Sequence, residues 1–63
     1  MNMTNWKKEI ESYFELMYED GMKLSFIDSE IEHRLCQLYD KNEISADELT
    51  ELEKHVHWLL YEQ

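Results

Sequence analysis

The chain is 63 residues long and carries fifteen acidic residues against six basic ones, a formal net charge of −9. That charge repels nucleic-acid phosphates and anionic lipid and attracts basic protein surfaces, so direct nucleic-acid binding and a seat on an anionic membrane are both excluded. The length allows one domain, 1–63, and the single cysteine, Cys36, leaves no internal disulfide to hold it.

A chain this short buries only about 60% of its unfolded surface, so its core is thin and depends on regular helix packing or on association. Hydrophobic residues are 43% and aromatics 13%, too many for a disordered acidic tail. No apolar run approaches the roughly 18 residues of a membrane span, and Met1 to Glu9 hold no apolar stretch of signal-peptide length. With an unpaired cysteine, the expected setting is the reducing cytoplasm.

The spacing predicts a first helix over about 5–20. At about 100° per residue, Trp6, Ile10, Tyr13, Phe14 and Met17 share one face, with Tyr18 at its edge, Leu16 off it, and Lys8, Glu15 and Glu19 opposite. Thr4 or Asn5 would cap its start, and Gly21 suits the left-handed position after its end. Met22 to Ser25 form the joint. Met22-Lys23-Leu24-Ser25-Phe26 alternates briefly, but so short a segment with no second strand forms no stable sheet within one chain, so a loop is expected.

A second helix is expected over about 26–41, opening near Ser25 or Asp28 on an imperfect capping arrangement, Ser25-Phe26-Ile27-Asp28. Its stripe is Ile27, Ile31, Leu35 and Leu38, with Cys36 opposite and Tyr39 on a flank. Asp40 to Glu43 make a short connection, so the second and third helices form an antiparallel hairpin. The third, over about 46–61, has the clearest start. Ser45-Ala46-Asp47-Glu48 spells a capping box, Ile44 and Leu49 occupy the positions of a hydrophobic staple, and Leu49, Leu52, Val56, Leu59 and Leu60 form the apolar face.

The expected fold is all-α: a small three-helix bundle. The alternative is a helical hairpin with the first helix swapped into a dimer. Leu35, Leu38, Ile44, Ser45, Glu48 and Leu52 resemble the hairpin of short C-terminal oligomerisation domains, where a leucine-bearing helix and a turn lead into Ile-Ser/Thr-x-x-Glu. The resemblance covers 35–52, departs at Asn42-Glu43, where that pattern usually has glycine, and implies a helical hairpin without implying a function.

Sites for chemistry are poorly supplied. Glu48 as the last ligand of a calcium loop would place Gln37, Tyr39 and Lys41 where carboxylates are needed. His33 and Cys36 share a helix face, but His55 and His57 point apart, which leaves too few zinc ligands. Cys36 beside Glu30 and Glu32 has no feature that would activate a thiol, and the chain is too short for a substrate pocket. Asp47, Glu48, Glu51 and Glu53 would face phosphates if the third helix entered a DNA groove. No catalytic residue, metal or cofactor is expected.

Trp58 lies about 180° from the Leu49 direction, with Tyr61 and Lys54 near it. It either seals an edge of the core or belongs to a binding surface, where exposed Trp and Tyr are enriched. Carboxylates four apart on a helix recur at about 6 Å, near the phosphate spacing of a nucleic-acid strand. The expected function is therefore non-enzymatic: an inhibitor or regulator that occupies the basic, nucleic-acid-binding surface of a protein partner through Glu11, Glu15, Glu19, Glu51, Tyr39, Trp58 and Tyr61. In size and composition the chain resembles the small acidic inhibitors that phages and mobile elements direct at CRISPR or restriction enzymes. The alternative is a homo-oligomer, a dimer first of all, whose aromatic edges pair with themselves.

Overall fold

The computed structural model describes residues 3–62. Three helices follow one another, α1 over Met3–Glu19, α2 over Leu24–Asp40 and α3 over Ala46–His57, and α3 continues into a single π-helical turn over Trp58–Glu62. Among the described residues there is no strand. The expected bundle is found, with each boundary within a few residues of its expected place.

Two left-handed residues make the joints short. Gly21 has φ +82°; its amide donates to the Tyr18 carbonyl and that of Met22 to the Met17 carbonyl, closing α1 with a Schellman motif. Asn42, with φ +62°, does the same for α2, its amide donating to Tyr39 and that of Glu43 to Leu38. The asparagine at the departure from the oligomerisation-domain pattern thus fills the role of the missing glycine, since its short polar side chain tolerates this conformation.

Two expected starts are corrected. Thr4 and Asn5 lie inside α1 and do not precede it. The helix α2 opens at Leu24 from an extended Lys23 with no side-chain cap, so the Ser25–Asp28 arrangement does not mark its start. The reason is the tight turn at Gly21: the Lys23 carbonyl already accepts from the amides of Phe26 and Ile27, at 3.0 Å each. The third start is as expected. The Ser45 hydroxyl accepts from the Glu48 amide at 3.1 Å, and the Ser45 amide donates to Glu48 Oε1 at 2.8 Å.

The core is one cluster around Ile27, Ile31, Leu35, Leu52 and Val56, which are essentially inaccessible, with Trp6, Ile10, Phe14 and Met17 contributed by α1. Ile44 is buried and Leu49 packs against the same cluster, as a hydrophobic staple requires. In the final turn Leu59 and Leu60 are both buried. The wider π turn reduces the angle between neighbouring side chains, so consecutive leucines can face inward. No described helix is long and apolar enough to cross a membrane.

Candidate functional site

Two successive chain reversals make α1 and α3 parallel neighbours. Their register is set where both rest on α2, and it brings Glu11 of α1 to His55 of α3, with Oε1 of the carboxylate 3.0 Å from Nε2 of the imidazole. One turn further along both helices, a groove of about 240 Å³ opens between them, lined by Glu11, Phe14, Glu15, Trp58 and Leu59. Phe14 and Leu59 belong to the core and form its floor. His55 stacks on Trp58, ring centroids 5.7 Å apart and planes 17° apart, yet Trp58 remains 45% exposed.

Three of the seven residues expected to bind a partner therefore converge: Glu11, Glu15 and Trp58. Glu19 lies on α1 one turn beyond Glu15, and Glu51 on α3 one turn before His55; both are exposed and outside the groove. Tyr61 is exposed beyond Trp58, its ring 5.1 Å from that of His57, which also lies 3.5 Å from Glu62. Tyr39 is exposed too, but it sits near the end of α2, at the opposite end of the bundle.

The electrostatics of this face are one-sided. Among the described residues those two histidine–glutamate contacts are the only ones that can form an ion pair, and no lysine or arginine is paired with a carboxylate. Glu15 has no hydrogen-bond or ionic partner. On the far side of α3, burial pushes the Glu32 carboxyl above its ordinary value of 4.5, and Glu53 and Asp28 push it the same way.

A second groove, of about 320 Å³, runs between α1 and α2. It is mainly apolar, with Leu16 exposed at its rim, and its charged walls, Glu9 and Arg34, offset one another. Arg34 already lies over the Tyr13 ring, 5.9 Å from its centroid. Further exposed apolar side chains, Tyr18, Met22, Leu24 and Phe26, gather where α1 turns into α2, the end at which α3 also finishes. Tyr18 is legible from the sequence as a flank residue, whereas Met22, Leu24 and Phe26 are not, because they read as a joint and a cap; the signal is the position of Leu24 and Phe26 off the Ile27–Leu38 stripe.

Ser45 and Glu48 are engaged with each other, and His33 contacts Gln37 at 3.4 Å. Cys36 is exposed, and no group of three or more His, Cys, Asp or Glu that could hold a metal ion is gathered among the described residues. Comparisons with protein-family models, with curated proteins and with solved structures find no match.

Proposed function

We propose that this protein is a non-enzymatic regulator that binds a partner protein through its acidic exterior, occupying a basic surface of that partner in the cytoplasm. The observation that carries the reading is the meeting of Glu11, Glu15 and the half-exposed Trp58 in one groove with no basic residue in its lining. Unpaired carboxylates steer association over long range, and a desolvated aromatic ring supplies holding energy at contact. The form of regulation proposed is inhibition: carboxylates spaced like phosphates along α1 fill a nucleic-acid-binding site, as in the phage and mobile-element inhibitors that the chain resembles.

The test begins with capture of a partner from host lysate at low salt and its identification by mass. The affinity of the purified pair is then measured from about 50 to 200 mM salt, a range over which phosphate-like contacts weaken steeply. Binding should fall strongly with salt. It should also be lost when Glu11, Glu15, Glu19 and Glu51 are changed to lysine in a chain whose helical circular dichroism is unaltered. Salt-independent binding that survives the reversal would sink the reading.

The second reading, a homo-oligomer, is favoured by the exposed group Tyr18, Met22, Leu24 and Phe26, at the same end of the bundle as Trp58 and Tyr61. Sedimentation of the pure protein separates the two, since a tight dimer that buries Trp58 leaves no aromatic anchor for a foreign partner.

A further inference from the structure

We propose that the groove between α1 and α3, where Glu11 and Glu15 meet the ring of Trp58, is the seat of an arginine side chain presented by a basic segment of a partner protein. The inference rests on the acidic-surface reading and adds to it a place and a chemistry. At about 240 Å³ the groove falls below the roughly 300–1,000 Å³ of small-molecule pockets, and it suits a single side chain.

Its walls divide by chemistry. Phe14 and Leu59 offer apolar contact to an aliphatic stem. Glu15 is without a partner, and Glu11 places only Oε1 on His55, which leaves its Oε2 available. The two carboxylates are one helical turn apart, about 6 Å, within the reach of a planar fork of N–H donors. Trp58 lines the groove and offers the exposed part of its ring. A guanidinium stacks on an indole, donates to two carboxylates and is less strongly hydrated than an ammonium, so arginine satisfies all three walls where lysine satisfies them one at a time. Arg34 over Tyr13 is the same pairing made within the chain itself. A second copy of this chain is the weaker occupant, because it brings another formal charge of −9 to a face already negative.

The experiment is an NMR titration with two probes of equal charge, hexa-arginine and hexa-lysine peptides, each blocked at both ends. Indole N–H signals are read, and the buried Trp6 serves as the internal control for the half-exposed Trp58. Hexa-arginine should shift the Trp58 signal saturably and leave Trp6 in place, with hexa-lysine about threefold weaker or more. Glu15→Gln should weaken hexa-arginine by about two- to fivefold. Glu43→Gln, which removes the same charge in the α2–α3 turn at the other end of the bundle, should weaken it less.

Equal affinity for the two peptides, or equal loss from the two substitutions, overturns the arginine seat and leaves the acidic-surface reading standing. Absence of binding by either peptide at low salt sinks both. Concentration-dependent shifts of Trp58 without peptide assign the groove to a second copy and overturn the proposal.

Discussion

Glu32 sits half-buried on α2, with Asp28 one turn before it and Glu53 of α3 across the interface. Desolvation and two like charges all favour its protonated form. An acid whose folded-state value lies above its unfolded one holds its proton more readily when folded. The stability it contributes is therefore complete below 4.5 and is lost as pH rises through the raised value. Glu32→Gln should accordingly unfold at higher urea than the parent at pH 7, and the difference should vanish near pH 3.5. A variant less stable than the parent at pH 7 would show that the carboxylate has a favourable role. Gly21 poses the opposite problem. A β-carbon there would meet nothing within 4 Å, so only the left-handed backbone resists substitution. Gly21→Ala should cost about 1 kcal/mol and lower the melting temperature by about 4–8 °C. An unchanged melting temperature would mean that the turn relaxes without loss.

Each helix is held by a different mixture of local and distant forces. The start of α3 is local: two reciprocal hydrogen bonds, with acidic residues in the first turn and Lys54, His55 and His57 in the last. Ser45→Ala should cost about 1 kcal/mol, seen as early fraying of α3 in amide exchange, and the loss should persist only in part in a Glu48→Ala background, which removes the acceptor of the second bond, because the two bonds are coupled. Full additivity of the two substitutions would argue against a shared cap. The helix α2 begins without any such device, because the preceding turn delivers the chain already wound and the burial of Ile27 and Ile31 does the rest. That difference explains why the capping box was legible as four letters while the start of α2 was placed too late. A side-chain cap is written where it acts, and a start imposed by the previous turn is not.

Across the whole molecule the acids outnumber their partners. With a formal charge of −9 and no lysine– or arginine–carboxylate pair among the described residues, like-charge repulsion opposes the compact state and few exposed attractions offset it. Added salt should raise the melting temperature, most steeply at low ionic strength, where the screening length is long. A fall in melting temperature over the first 100 mM or so of sodium chloride would show that attractive pairs dominate. The same imbalance motivates the proposed function, since carboxylates left unpaired within the chain are available to a basic surface brought from outside.

The helical class, the three apolar stripes, the left-handed glycine and the capping box were determined by the sequence alone, because each follows from contacts or conformational preferences within about one or two helical turns. Glu11, Glu15 and Trp58 were each legible as unpaired with the core, but their meeting was not. His55 is 44 residues from Glu11 along the chain, and nothing local records that they touch. Their register follows from how α1 and α3 each settle on α2, a matter of side-chain volumes summed over three surfaces. Only the tertiary structure could turn scattered acids and a surplus tryptophan into one groove, and leave Tyr39 at the far end of the bundle.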